Sequence, residues 1–390
     1  MDLKDTPDEA AFRTEVHTFL SMHWPLRPSG GRPSAYVNLD DAVAVNAAKA
    51  WQARKYLAGW ACLEWPKSAG GRGATPIQAE IFEQEERLFD TPATTLFMIG
   101  HGMLGPTIMA HGTDSQKDRY LTAMARGDDI WCQLFSEPSG GSDLAAARTS
   151  AVRDGDDWIL NGQKIWTSGA HVGRYAVCVT RTNKDVPKHK GLTCFIVDLK
   201  TPGLDIRPIR QMDGSADFNE VFLDDVRVSD TDRLGTIDGG WKVILTCLNN
   251  ERATLSAGLW TLDVKDLVKL LRTMTVNGAP AAKDRSVAHR VADLHVRLRG
   301  VERTVLRGMT ALSQGRQPGP EASISKLILG KLGQDIASLA IDLEGMAGMT
   351  HGAELDFQLA YLRSPSLRLA GGTDEILRNI IAERVLGMPR

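Results

Sequence analysis

Cysteine is scarce in this chain, and the few cysteines form no recognisable pattern. The sequence of 390 residues holds 5 cysteines, an odd number, and no two of them have C-x-x-C spacing. We therefore expect reduced and mostly buried thiols in place of a disulfide framework or a cysteine zinc site. The histidines also lack ligand spacing, so the sequence predicts no metal site.

Long apolar runs and a strong charge of either sign are absent as well. No run approaches the ~20 apolar residues that a membrane helix needs, so we predict no membrane span. The formal net charge of -2 argues against nucleic acid as the main partner. The acidic and polar start, residues 1–13, does not look like a secretory signal, and it predicts a cytoplasmic protein.

Several common catalytic motifs are missing. The sequence contains no H-E-x-x-H, no Walker loop, no G-x-S-x-G and no G-x-G-x-x-G. The usual signals of a zinc protease, a phosphoryl-transfer enzyme, a serine hydrolase and a Rossmann enzyme are therefore lacking. The composition itself, with 43% apolar and 24% charged residues, is that of an ordinary folded protein.

The periodicity of apolar residues divides the chain into helices, then strands, then helices. We predict a mainly α protein with a central β domain. Its parts are an N-terminal helical domain (1–128), a middle β domain (129–234) and a C-terminal helical bundle (235–390). The strand spacing of the middle domain suggests a small antiparallel barrel or sandwich, and we predict the barrel. Thr75 and Thr373 are predicted to be N-caps of helices, because each precedes a helical pattern.

Two segments carry the densest chemical signal. Residues 133–143 (QLFSEPSGGSD) form a loop of small residues whose backbone N–H groups can bind an anionic group. Residues 161–170 (NGQKIWTSGA) form a hairpin that ends in an indole and two hydroxyls, which can stack on a planar ring and bond its heteroatoms. Taken alone, the first segment fits a plain surface turn equally well, and the tryptophan fits a core position.

Together these segments resemble the acyl-CoA dehydrogenase family. Residues 136–143 and 162–166 match two signatures of that family. The resemblance also covers residues 65–73 and 370–378, so it runs over nearly the whole chain. It implies a helix–strand–helix fold, an FAD cofactor and the formation of a double bond between the α and β carbons of an acyl thioester. In such enzymes a carboxylate removes the α proton, and the β hydrogen leaves as hydride to flavin N5.

The resemblance leaves two positions for this carboxylate, and only one of them is filled. Many family members carry the catalytic glutamate directly before the Gly-Thr of the C-terminal motif, where this chain has Gly371. A second family pattern places it on a third-domain helix before an arginine, and here Glu251 and Arg252 match. We therefore assign Glu251 as the base and the backbone N–H of Gly371 to the enolate oxygen. The glycine also leaves space for a bulky acyl group.

The resemblance also implies the remaining contacts. The expected substrate contacts are Ser142, Asn249, Arg252 and Ala370. The expected flavin contacts are Gln133, Phe135, Ser136, Gly141, Ser142, Trp166, Thr167, Ser168, Arg285, Thr373 and Glu375. Among them, Ser168 is expected near N5. The stretch 188–192 is similar to a subgroup that acts on steroid side chains.

Positions that touch the FAD of a neighbouring subunit in homodimeric relatives are unusual here. They correspond to Met274, Asn277–Gly278, Arg285, Asp342 and Met346, and only Arg285 suits a phosphate. A heterotetramer with a related dehydrogenase subunit and a homotetramer with different contacts are therefore equal expectations. The expected substrate is an acyl-CoA, and the expected electron acceptor is an electron-transfer flavoprotein.

Three alternatives use the same fold. The first is an acyl-CoA oxidase or a nitroalkane-type oxidase, which oxygen uptake would distinguish from a dehydrogenase. The second is a non-catalytic subunit of a heteromeric dehydrogenase, against which the presence of Glu251 argues. The third is a DNA-associated protein, against which the modest net charge argues.

Overall fold

Helices, strands and helices follow one another along the chain, as predicted. The computed structural model describes residues 5–28, 37–258, 263–276, 278–313, 322–350 and 355–389. By its internal contacts the chain divides into two units, Met1–Gln211 with Ser215–Glu251, and Met212–Gly214 with Arg252–Arg390. The predicted division into three domains stays a prediction.

Five α-helices of the described residues precede the sheet. They are α1 (Pro7–Ser21), α2 (Ala42–Leu57), α3 (Pro76–Glu86), α4 (Gly105–His111) and α5 (Asp114–Arg126). Helices α1, α3 and α5 begin with capping boxes, in which a threonine hydroxyl accepts from the helix backbone and a Glu or Gln side chain reaches back. Thr75 is the N-cap of α3, as predicted.

The middle of the chain forms one mixed sheet. Its strands are β1 (Trp131–Leu134), β2 (Ser150–Asp154), β3 (Asp157–Ser168), β4 (Tyr175–Arg181), β5 (Leu192–Asp198), β6 (Leu204–Ile209), β7 (Phe218–Ser229) and β8 (Arg233–Leu234). The order is β6-β7-β3-β2-β4-β5-β8, with β1 beside β4. This sheet belongs to the first unit.

The described strands do not form the antiparallel barrel that we predicted. The sheet is open, because β6 and β8 are its two edges and do not pair with each other. Moreover, β1 runs parallel to β4, and β2 meets β4 in parallel at Ser150 and Arg181. Strands that are joined by hairpins run in alternating directions. The strand β1 follows helix α5 and not a hairpin, so its direction is not fixed in this way.

The cysteines are buried, as the composition suggested. None forms a disulfide; four are fully buried and Cys62 is half-buried. Burial raises the pKa of the Cys178 thiol to about 11 and that of the Cys62 thiol to about 12. These thiols are therefore protonated at neutral pH and act as small apolar side chains.

The remaining helices follow the sheet. They are α6 (Gly240–Gly258), α7 (Val264–Thr273), α8 (Arg285–Ser313), α9 (Ala322–Glu344), α10 (Leu355–Arg363) and α11 (Asp374–Ile380), with the short strands β9 (Thr275–Val276) and β10 (Ala279–Pro280) between α7 and α8. Thr373 caps α11 through its hydroxyl, as predicted. None of the helices in the described ranges is long and apolar enough to cross a membrane.

Candidate active site

The loop after β1 presents the first motif at the surface. Phe135 is buried, and the backbones of Glu137 and Gly140 then exchange two hydrogen bonds of 3.0 and 2.9 Å. This tight turn leaves Gly141 and Ser142 exposed. The loop is therefore a tight turn at the surface, a type of loop whose backbone can bind an anionic group.

A buried ion pair joins the first motif to the second. Lys164 Nζ lies 2.8 Å from Glu137 Oε1, and the two side chains are 0% and 5% exposed. The Glu137 carboxylate also accepts from the backbone N–H groups of Arg148 (2.7 Å) and Thr149 (2.9 Å). Burial raises the pKa of this carboxyl, but the Lys164 ammonium and the backbone donors outweigh burial, so the pKa lies below its ordinary value.

Two further hydrogen bonds fasten the motifs along their backbones. Lys164 Nζ donates to the carbonyl of Phe135 at 3.1 Å, and the N–H of Ile165 donates to the carbonyl of Ser136 at 2.9 Å. The loop after β1 and the end of β3 are therefore one structural piece. We did not predict this pairing from the sequence, because nothing in a separation of 27 residues indicates contact.

Strand β3 is irregular where it presents Trp166. The pairing of β3 with β7 shifts register between Lys164 and Thr167, and Trp166 has a φ of +60°. Such a backbone costs a bulky L-residue about 1–3 kcal/mol and persists only where its surroundings enforce it. The indole is 57% exposed, whereas Thr167 is 1% exposed. A core position for this tryptophan is therefore excluded, and the indole is suited to stacking.

Helix α6 carries Glu251, which is half-buried, and Cys247 precedes it by one helical turn. Gln133 Nε2 donates to Cys247 Sγ at 3.2 Å. Burial raises the pKa of the Cys247 thiol to about 12, and the nearby Glu251 carboxylate adds to this shift. Because residues four apart share a helix face, this face of α6 is directed at β1. The side chain of Arg252 lies outside the described residues.

The C-terminal motif belongs to the second unit. Gly371 and Gly372 have φ values of +69° and +100°, which favour glycine. Lys326 on α9, only 6% exposed, donates through Nζ to the carbonyl of Gly372 at 2.7 Å. Arg368 forms an ion pair with the buried Asp374 at 2.6 Å. These contacts fix the backbone on the C-terminal side of Gly371.

Other predicted contact positions of the second unit lie at its surface. Ala370, Glu375 and Arg285 are exposed, and Met346 is 80% exposed. Asp342 forms an ion pair of 3.0 Å with Arg290 on α8. Asn277 lies outside the described residues. Their roles toward a cofactor stay predictions.

A basic cavity of about 420 Å³ lies beside the first motif, and we did not predict it. Its lining residues are Ala146, Ala147, Arg148, Arg181, Asn183, Lys184, Val186 and Lys188. Arg181 donates to three backbone carbonyls, which fixes the wall, and Lys188 Nζ lies 2.7 Å from a carboxylate oxygen of Asp143. The excess of cations suits a ligand with phosphate groups. In the sequence, its basic residues lie on both sides of the second motif, and this is the signal from which the cavity could have been predicted.

Family comparisons match the chain in order along its length. The acyl-CoA dehydrogenase N-terminal domain matches residues 6–128, the middle domain matches 132–226 and the C-terminal domain matches 238–386. The order of these matches is the helix–strand–helix order of the structure. The resemblance noted from the motifs is therefore confirmed over nearly the whole chain.

Individual relatives agree with these matches. Acyl-CoA dehydrogenase IpdE1 of Mycobacterium tuberculosis is 38% identical over 347 residues, which are 88% of this chain and 88% of that protein. A solved structure named Tcur3481-Tcur3483 steroid ACAD has a TM-score of 0.81 at 27% identity over 100% of both chains. The ChsE4-ChsE5 complex from Mycobacterium tuberculosis has a TM-score of 0.80 at 27% identity, again over 100% of both chains. This chain belongs to the acyl-CoA dehydrogenase family, flavoprotein oxidoreductases that act on the CH–CH bond of acyl-CoA thioesters.

Proposed function

We propose that this chain, with FAD, introduces the α,β double bond into an acyl-CoA whose acyl group is bulky, such as a steroid side chain. One observation carries the assignment of the site: Gln133 of β1 contacts Cys247 of α6. This contact supports a site that combines the strand entering the first motif with the helix face of Glu251. The family membership supports the reaction class.

The two motifs fit a flavin. The exposed indole of Trp166 offers a stacking surface, and Ser168 follows it with a hydroxyl and an N–H. FAD, when bound, supplies the acceptor for the β hydrogen as a hydride. The proposed flavin contacts are Gln133, Phe135, Ser136, Gly141, Ser142, Trp166, Thr167, Ser168, Arg285, Thr373 and Glu375.

Glu251 is the proposed base. Its carboxylate takes the proton from the α carbon, and the electron pair of the broken C–H bond forms the new double bond as the β hydrogen leaves. The backbone N–H of Gly371 is proposed to donate to the thioester carbonyl oxygen, which stabilises the negative charge that develops there. A glycine performs this role without a side chain, so the position is compatible with a large acyl group.

The thioester tail is proposed to contact Ser142, Asn249, Arg252 and Ala370. The basic cavity extends this set, because Arg148, Arg181 and Lys184 line it. Guanidinium and ammonium groups bind phosphate oxygens through charge-assisted hydrogen bonds. We therefore assign the nucleotide phosphates of the CoA to this cavity.

The proposed electron acceptor is an electron-transfer flavoprotein. The proposed assembly is a tetramer, built either of this chain alone or of this chain and a related dehydrogenase subunit. The solved structures named ChsE4-ChsE5 and Tcur3481-Tcur3483 are named as pairs of chains, which supports the second form. A second polypeptide that co-purifies with this chain would identify the assembly as the heteromeric form.

The base assignment is tested by replacing Glu251 with Gln. The purified protein is mixed anaerobically with a panel of CoA thioesters, and the loss of flavin absorbance is followed by stopped flow. Without the carboxylate we expect the rate to fall about 10²–10⁴-fold, the usual contribution of a general base. Steroid side-chain and branched thioesters should bleach the wild-type flavin faster than straight-chain ones.

Glu302→Gln is the matched control, because Glu302 is a half-buried helical glutamate of α8 that pairs with Arg299. It should bleach at the wild-type rate. A Glu251→Gln protein that also bleaches at the wild-type rate would eliminate Glu251 as the base. Oxygen consumption with substrate, in the absence of an electron-transfer flavoprotein, would assign the chain to the oxidases.

A further inference from the structure

The peptide that carries Trp166 is held from a second side by Asn219 of β7. Asn219 stands opposite Thr167 in the register of β3 and β7, and it is 0% exposed. Its Nδ2 donates to the backbone carbonyl of Thr167 at 3.0 Å. The strained residue therefore lies between Ile165, bonded to the first motif, and Thr167, bonded to Asn219.

His171 continues this network. Its Nδ1 lies 3.0 Å from Asn219 Oδ1. A backbone carbonyl can only accept, so the amide nitrogen of Asn219 faces Thr167 and the amide oxygen faces His171. Because that oxygen also only accepts, Nδ1 of His171 carries the proton. Both hydrogen bonds thus point in one direction, from His171 through Asn219 to Thr167.

A buried amide is out of place on this face of β7. Val221 and Leu223, the next residues on the same face, are buried and apolar. A buried amide costs free energy unless its donors and acceptors are bonded, and a β-branched residue would suit the strand better. The position is explained by its bonds to Thr167 and His171, because these serve the irregular end of β3.

We propose that Asn219 and His171 are positioning residues for the flavin-facing peptide 166–168. By holding the carbonyl of Thr167, they keep the left-handed backbone of Trp166 and, with it, the directions of the indole and of Ser168. The inference rests on the proposed function, since it says what two residues outside the family motifs do for that site. Neither residue needs to touch the flavin.

The first measurement needs no cofactor. Amide hydrogen exchange of the peptide 163–170 is followed by mass spectrometry in the cofactor-free full chain for wild type, Asn219→Ala and Asn219→Asp. Aspartate has nearly the shape of asparagine but has no N–H to donate to Thr167. We expect exchange in this peptide to rise about tenfold in both variants, the effect of one lost hydrogen bond.

The second measurement is FAD affinity, together with the flavin absorption spectrum, of the purified protein and any chain that co-purifies with it. Asn219→Ala and His171→Leu should weaken FAD binding by about tenfold and shift the flavin bands. His171→Gln, whose amide can still donate, should restore most of the affinity. Thr180→Val is the control, because it removes a buried hydrogen bond of the same sheet, from Thr180 to the carbonyl of Thr193. It should lower the melting temperature but leave FAD affinity and exchange of 163–170 unchanged.

The outcomes separate the two proposals. Unchanged exchange in both Asn219 variants, or raised exchange with FAD affinity and spectrum equal to wild type, overturns the positioning role and leaves the proposed function standing. A wild-type protein that takes up no FAD overturns the proposed function and this inference together. Loss of FAD affinity in Thr180→Val equal to that in Asn219→Ala also overturns the inference, because general destabilisation then explains both.

Discussion

Glu137 and Lys164 are the residues whose separate removal we expect to destabilise the first unit most. Each is almost fully buried, and the carboxylate has three donors, the Lys164 ammonium and two backbone N–H groups. Removing one member of a buried pair leaves the other as an uncompensated charge, whereas replacing both with apolar residues removes that penalty. The pair therefore matters more for holding the two motifs together than for its net contribution to the free energy of unfolding.

Lys164→Met should lower the free energy of unfolding by about 3–5 kcal/mol at pH 7. The double variant Lys164→Met with Glu137→Leu should recover part of this loss, because no charge stays buried. Urea unfolding followed by circular dichroism measures both. A double variant less stable than Lys164→Met would contradict this view of the pair.

The contribution of Glu137 has a definite pH dependence. Its pKa in the folded chain is lower than the ordinary value of 4.5, so the unfolded chain binds a proton first as the pH falls. The stabilisation by this carboxylate is therefore complete above pH 4.5 and is lost as the pH falls through the folded pKa. In Glu137→Gln this acid-dependent part of the unfolding free energy should be absent, which urea titrations between pH 3 and pH 7 would reveal.

At the scale of elements, β3 lies so close to the residue before β2 that only glycine fits at Gly162. A Cβ built there would lie 2.5 Å from Thr149 Oγ1 and 2.7 Å from Thr149 Cα. The φ of Gly162 is +155°. This close approach gives a packing reason for a glycine in the second motif, next to the segment that presents Trp166.

Gly162→Ala should lower the free energy of unfolding by about 1–3 kcal/mol through overpacking, in addition to the backbone strain of its positive φ. Gly155→Ala, in the turn between β2 and β3, is the matched control. It has a φ of +63° and no atom within 4 Å of its built Cβ, so it should cost about 1–2 kcal/mol from backbone strain alone. Thermal unfolding of both variants makes the comparison, and equal melting temperatures would show that the Thr149 contact is relieved without cost.

The elements also show what sequence could and could not predict. The N-caps Thr75 and Thr373 were predicted correctly, because a capping residue before a helical pattern is a local signal. Helix α2 gives a weaker signal, because six of its 16 residues are alanine and its sequence shows little amphipathic contrast. The motif residues were found through the family resemblance. Asn219 and Arg148 were not, because their roles depend on neighbours distant in the chain.

At the scale of the whole molecule, the second unit exposes large apolar side chains along its later segments. These are Met346 (80%), Met349 (74%), Leu386 (66%), Leu369 (63%) and Met388 (54%). Exposed apolar residues are ordinary when isolated, but several large ones within one unit suit a subunit interface. They are the residues we expect to become buried in the proposed tetramer.

Sedimentation of the purified protein should therefore give a mass that is a multiple of about 42.6 kDa, or the mass of a complex with a second chain. Substituting Met346 and Met349 by Glu should shift the protein toward smaller species, because it places charge in an apolar interface. Glu substitutions at the exposed Met22 and Val43, in the first unit, are the control. A wild-type protein that sediments as a single chain would argue against either tetramer.

The left-handed backbone of Trp166 has a consequence for engineering. A glycine would relieve its conformational cost, so a screen for heat tolerance alone should favour Trp166→Gly or Trp166→Asn. The same substitution discards the indole. Because we propose that this indole stacks on the flavin, a selection for stability should also measure retention of the yellow cofactor, so that stabilised variants without FAD are discarded.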